Sequence, residues 1–210
     1  MTDMYTLYYS KGSSALAPHI LALELGVDLA LAEVPIPQGA HQAPEFLACN
    51  PKGRVPLLDT PEGSLTENPA ILEYLAARHP QGGLLPEGPL AQARARELCA
   101  YLCATAHIAF AHKLRGKRWA QDPVALADMQ KYVPQNLTEC ATYLESTLPL
   151  GPWALGVDYS FCDPYLYVFA RWLDAAGVPI DPFPKLAAHK LAMLARPATQ
   201  AALAAQEIQE

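Results

Sequence analysis

The spacing of apolar residues divides the chain into two kinds of pattern. The opening YTLYY run at residues 5–9 is rich in aromatic and β-favouring residues and predicts a strand. A turn at Lys11-Gly12 follows, and Leu16, Ile20 and Leu23 then recur at helical spacing within 15–26. Ser13 or Ser14 can cap this helix, Pro18 is tolerated in its first turn, and Gly26 can end it. A second strand is expected over 29–34. Residues 35–54 carry Pro35, Pro37, Pro44 and Pro51 and read as irregular, with a short helix near 44–48. Strands at 55–58 and 64–66 flank the turn-like Asp59-Thr60-Pro61-Glu62-Gly63 and form a hairpin. Asn68 is expected to cap a helix over 69–79, with Pro69 at its first position and Ile71, Leu72 and Leu75 on one face.

Beyond this point strand patterns stop. The stretch from Pro80 to Pro89 is dense in Gly and Pro and reads as a linker. Helices are expected over 90–115, 123–147, 160–176 and 183–195, with another at 197–206. The pattern therefore predicts an α/β domain at 1–80, a linker at 81–89 and an all-helical domain at 90–210.

Composition narrows what such a chain does. Over its 210 residues the hydrophobic fraction is 51% and the charged fraction 17%, enough apolar content to bury a core and exclude disorder. The net charge of −6 argues against nucleic acid or an anionic membrane surface as partner. Cys49, Cys99, Cys103, Cys140 and Cys162 include no CxxC pair, so neither a zinc ribbon nor a dithiol redox motif is indicated and no metal is expected. Unpaired cysteines and the lack of a leader-like or membrane-spanning apolar run make the cytoplasm the expected compartment.

Three stretches carry candidate chemistry. In Tyr8-Tyr9-Ser10-Lys11-Gly12-Ser13-Ser14 a strand ends and a helix begins, so backbone N–H groups and the helix dipole favour an anion there. A serine hydroxyl at that place can donate to a thiolate, or can simply cap the helix. In Asn50-Pro51-Lys52-Gly53-Arg54-Val55-Pro56 a proline enters a strand. A cis bond there would present the backbone of Val55 to a peptide-like ligand; an edge strand that begins with proline is the plainer alternative. In Leu65-Thr66-Glu67-Asn68-Pro69 an acid stands before a helix start, placed to pair with a ligand amine while the helix end receives a carboxylate. A plain capped helix start is the alternative.

Taken together, the order and spacing of YYS…GSSALAPH, NPKGRVPLL and LTENPAILEYL resemble the glutathione transferases, most closely the bacterial beta class, over essentially the whole chain. The resemblance implies a thioredoxin-like first domain, an all-α second domain, homodimers and glutathione as cosubstrate. It implies that Val55, with cis-Pro56, pairs with the cysteinyl part of glutathione and that Glu67 and Asn68 hold its γ-glutamyl end. Asn68 stands where the family often has serine. Arg54 is a candidate for a glutathione carboxylate, or an ordinary solvated turn arginine.

The chain departs from the beta class at two places. Ser14 stands where that class has cysteine, and Ala15 where it has the following serine. A serine cannot form the mixed disulfide that a cysteine forms with glutathione, but its hydroxyl can stabilise the glutathione thiolate. Ser14 is the leading candidate, then Ser13, then Ser10. The His-Lys pair of the class is matched by His107 with Ile108, so His107 is a candidate for contacting substrate or sulfur across the interdomain cleft. Phe110, Trp119 and Tyr165 are candidate linings for an apolar substrate, and Lys113, Arg115, Lys117 and Arg118 read as a solvated surface. Ser160-Phe161-Cys162-Asp163 reads as a structural capping box. The expected activity is conjugation of glutathione to small, largely apolar electrophiles. A glutathione-binding carrier and a glutathione-dependent isomerase are the alternatives.

Overall fold

A computed structural model describes residues 4–209. β1 (Tyr5–Tyr9) buries Tyr5, Leu7 and Tyr9 on one face while Thr6 and Tyr8 remain half-buried, the alternation a strand requires. α1 (Leu16–Glu24) follows and is buried from Leu16 through Ala22. β2 (Leu29–Glu33) pairs parallel with β1. Pro44 begins α2 (Pro44–Cys49), whose Phe46 packs with Val34 and Leu57. β3 (Leu57–Thr60) and β4 (Gly63–Thr66) form the hairpin, and α3 (Asn68–Arg78) closes the series. The sheet order is β2-β1-β3-β4, with β3 antiparallel to both neighbours.

Two details differ from the sequence expectation. The third strand starts at Leu57 and not Val55, since Pro56 has no N–H for the ladder. Asn68 is the first helical residue of α3 and not its cap. Glu67 occupies the cap position without a side-chain cap bond, and the Asn68 amide is drawn instead to the Ser14 carbonyl at 3.0 Å.

The helical elements are α4 (Pro89–Tyr101), a π-helical turn at Leu102–Ala106, α5 (His107–Arg115), α6 (Pro123–Thr147), α7 (Asp163–Ala175), α8 (Pro184–Leu194) and α9 (Pro197–Ala205). α7 is buried almost throughout. Before it, the Asp163 carboxylate accepts the Ser160 N–H at 2.8 Å, the Ala154 N–H at 2.7 Å and the Ser160 hydroxyl at 3.0 Å, and meets His189 Nε2 at 3.0 Å. Only one half of the expected box forms, because the serine hydroxyl donates to the carboxylate and does not accept from the helix.

The chain forms two compact units: Met1–Pro86 with Leu194–Glu210, and Glu87–Met193. The sequence pattern places 90–210 in one helical body; in the structure α9 packs on α1. Three polar ties hold it there. Gln206 Nε2 donates to His19 Nδ1 at 3.0 Å, Arg196 makes a two-pronged ion pair with Glu24, and Lys11 pairs with Glu207. Among the described residues no helix is long and apolar enough to cross a membrane.

Candidate functional site

The register of the first unit brings the three motifs to one edge. Tyr8 is opposite Leu57, and Leu57 is opposite Thr66. One row across the sheet thus holds the end of β1, the start of β3 and the end of β4. The Ser10–Ser14 turn, Val55-Pro56 and Glu67-Asn68 all leave the sheet from that edge.

At the end of β1 the chain turns through Gly12 into α1. Ser13 Oγ accepts the N–H groups of Ser10 at 3.4 Å and Ala15 at 3.3 Å, so this hydroxyl is engaged in shaping the turn. The N–H groups of Leu16 and Ala17 bond to the carbonyls of Ser13 and Ser14. Ser14 is only 4% exposed, yet its hydroxyl takes no protein partner among the described residues and is not one of the fully sealed unpaired atoms. Ser10 is also buried. Ser13 Oγ is thus engaged, while the Ser10 and Ser14 hydroxyls take no protein partner among the described residues; of these two, Ser14 lies next to α1, where its carbonyl receives the Ala17 N–H.

The Val55–Pro56 bond is cis, and Val55 precedes the ladder. Its approach is shaped by Asn50, which is 1% exposed. Asn50 donates to the Arg54 carbonyl at 2.6 Å and accepts the Lys52 N–H at 3.2 Å. Gly53 has a φ of +57°, and a Cβ there would lie 2.9 Å from the His41 carbonyl, so the turn needs glycine at that position. Arg54 itself is exposed.

Glu67 has a φ of 74° and a ψ of 122°, a sparsely populated backbone region for a residue with a side chain. Asn68 is 4% exposed. Its amide nitrogen ties α3 to the Ser14 carbonyl, and its Oδ1 is buried with no partner among the described residues. Sequence reasoning missed Lys52, whose Nζ lies 2.6 Å from Glu67 Oε1 and 2.5 Å from Thr66 Oγ1. The only signal was its place in the Asn-Pro-Lys-Gly turn.

Burial raises the Tyr8 phenol, aided by Cys49 and Asp59. Burial also raises Tyr9, with Glu33 adding to the effect. Both phenols stay protonated at neutral pH. Burial lowers the His19 imidazole to about 4.

His107 belongs to the second unit, where it begins α5 directly after the π-helical turn. Arg115 reaches its Nε2 at 2.6 Å and the Tyr165 hydroxyl its Nδ1 at 3.3 Å, while Trp172 lies against the ring with centroids 4.7 Å apart. A guanidinium only donates, so Nε2 is the acceptor and Nδ1 carries the proton of the neutral ring. Phe110 stacks on Trp172 at 5.0 Å, Trp119 is 46% exposed against His112, and Tyr165 is wholly buried as a core residue.

The family description "Glutathione S-transferase, N-terminal domain" matches residues 4–77. The chain is 30% identical over 203 residues to glutathione S-transferase GstA of Escherichia coli O157:H7, spanning 95% of this chain and 98% of the relative. It is 31% identical over 209 residues to a maleylacetoacetate isomerase of Pseudomonas aeruginosa, spanning 94% and 96%. Among solved structures, a glutathione transferase homologue from Sulfitobacter with bound glutathione superposes with a TM-score of 0.94 at 38% identity over all of both chains. A bacterial beta class glutathione S-transferase from Sphingomonas chungbukensis superposes at 0.83 with 29% identity, over 97% of this chain and all of the other.

Proposed function

The chain belongs to the glutathione S-transferase family, and on that premise we propose that it joins glutathione to small, largely apolar electrophiles with Ser14 stabilising the thiolate. The single observation that supports this most is the free Ser14 hydroxyl at the start of α1, on the sheet edge shared with Val55 and Glu67.

The chemistry follows from the parts. The free thiol has a pKa of roughly 8.5 and is mostly protonated at neutral pH. A hydrogen bond from Ser14 Oγ, with the positive end of α1, favours the anion and releases the proton to water. The sulfur lone pair then forms a bond to the electrophilic carbon, and the leaving group departs with its electron pair. Binding both reactants in one site supplies the rest of the rate. Val55's backbone meets the cysteinyl amide, Glu67 takes the α-ammonium, and Asn68 supports that end of the site by tying α3 to the Ser14 carbonyl. Arg54 is exposed and available to a carboxylate. Ser13 keeps its structural part in the turn. His107 orients Arg115 and Tyr165 within its own unit.

A homodimer is part of this proposal. Tyr101 and Tyr143, with ring centroids 4.6 Å apart, and Leu90, 72% exposed, line a groove of about 800 Å³ between α4 and α6, an apolar face suited to a protein partner. Cysteines that form no disulfide among the described residues fit a reducing cytoplasm.

Glutathione-dependent isomerisation is a second reading, favoured by the Pseudomonas aeruginosa relative. There the thiolate would add and leave again. One experiment separates the cases: purified protein is given glutathione with a generic aromatic electrophile or with an isomerisable cis-alkene, conjugate and remaining glutathione are assayed, and the protein's mass is read by light scattering. Conjugate formation with the mass of two chains is expected. Tight glutathione binding without turnover would instead favour a carrier, and turnover of an isomerisable substrate with no glutathione consumed would favour the isomerase.

A further inference from the structure

The carboxylate assigned to the ligand's amine already holds a cation. Lys52 Nζ lies 2.6 Å from Glu67 Oε1 and 2.5 Å from Thr66 Oγ1. A lysine ammonium carries three donors and one positive charge, as an α-ammonium does. Its placement is built and not accidental to a floppy surface chain. The Lys52 N–H is fixed by Asn50 Oδ1, Gly53 forces the turn that follows, and the unusual backbone of Glu67 brings its side chain to the same place. Both side chains keep contact with solvent, at 42% for Lys52 and 51% for Glu67. The pair is therefore weak enough to exchange.

We propose that Lys52 is an internal counter-ion that occupies Glu67 in the ligand-free protein, and that glutathione binds by exchanging its own α-ammonium for that of Lys52. The inference rests on the reading of Glu67 given above. Charge balances without proton transfer: one ammonium leaves the carboxylate and another takes its place. Two consequences follow. Glutathione affinity is held down by the competing lysine. A ligand lacking the α-amine leaves the Lys52–Glu67 pair intact and keeps a neutralised carboxylate beside its own negative charge.

The test is calorimetric binding at low ionic strength of glutathione and of its analogue without the α-amine, glutaryl-cysteinyl-glycine. Wild type, Lys52→Met, Lys52→Arg and Glu67→Gln are compared. Lys52→Met is expected to tighten glutathione roughly two- to fivefold, the span of an exposed ion pair, and to weaken the analogue by exposing it to a bare Glu67. Lys52→Arg, which keeps the charge, is expected to stay within about twofold of wild type for both ligands. Weaker binding of both ligands to Lys52→Met would overturn the exchange and make Lys52 a partner of the ligand carboxylate. No change for either ligand would overturn it too. If Glu67→Gln binds glutathione as wild type does, the amine site itself is refuted, and the exchange with it. If Glu67→Gln weakens binding while Lys52→Met has no effect, the exchange alone is refuted.

Discussion

Ser13 and Ser14 are adjacent and chemically identical, yet the structure separates their work. Ser13 Oγ is held by two backbone N–H groups, and Ser14 Oγ by none. The sequence identifies this pair as candidates because a glycine turn runs into a helix there. Residue type alone does not separate them; the resemblance to the beta class ranks Ser14 first, and the structure adds that the turn consumes the Ser13 hydroxyl. Asn68 is legible as a candidate for the site but not in what it does in the fold. Its type suggests a cap, whereas its amide spans to the Ser14 carbonyl in the turn before α1, 54 residues away in sequence. Lys52 is illegible because a lysine in a proline-glycine turn normally faces solvent. Glu67→Ala is expected to weaken glutathione binding more than Ser14→Ala. The first removes a charge-assisted contact, about 1.5–3 kcal/mol or roughly ten- to a hundredfold in affinity, while the second tunes only the sulfur. Calorimetry on both variants reads the difference, and equal affinity of wild type and Glu67→Ala would contradict the placement of the γ-glutamyl end.

The elements of the first unit are largely readable, since each has a local signal: aromatic alternation in β1, proline at the start of α2, the turn between β3 and β4. What local pattern does not carry is which helix α9 joins. Its buried Ala202 and Leu203 mark an apolar face without naming a partner. The polar match between His19 and Gln206 supplies the address, and both are buried. Burial drives the imidazole down to about 4 from an ordinary 6.5, so the folded protein holds His19 neutral. Between those values the unfolded chain binds the proton and the folded chain does not. His19 therefore leaves stability untouched above pH 6.5 and erodes it as pH falls towards 4, by about 3 kcal/mol at most. Urea denaturation of wild type and His19→Gln at pH 7 and pH 4.5 checks this. The loss on acidification is expected to be smaller in the variant, and equal losses would show that His19 carries none of it.

At the scale of the molecule, the change from mixed α/β to helical pattern near residue 85 is visible in the sequence because strands and helices have different periods. The candidate site is visible only as three separate motifs. Sheet register brings them together, through Tyr8 opposite Leu57 opposite Thr66, and pairing across strands distant in sequence is a tertiary fact. The central claim is that this edge binds glutathione and that Ser14 holds its sulfur as a thiolate. The most direct measurement is the ultraviolet absorbance of the thiolate against pH, for glutathione bound to wild type and to Ser14→Ala. The wild-type complex is expected to titrate at least about one unit below the free thiol near 8.5, and Ser14→Ala to return the titration towards the free value while still binding. Superimposable titrations of the two complexes would contradict it.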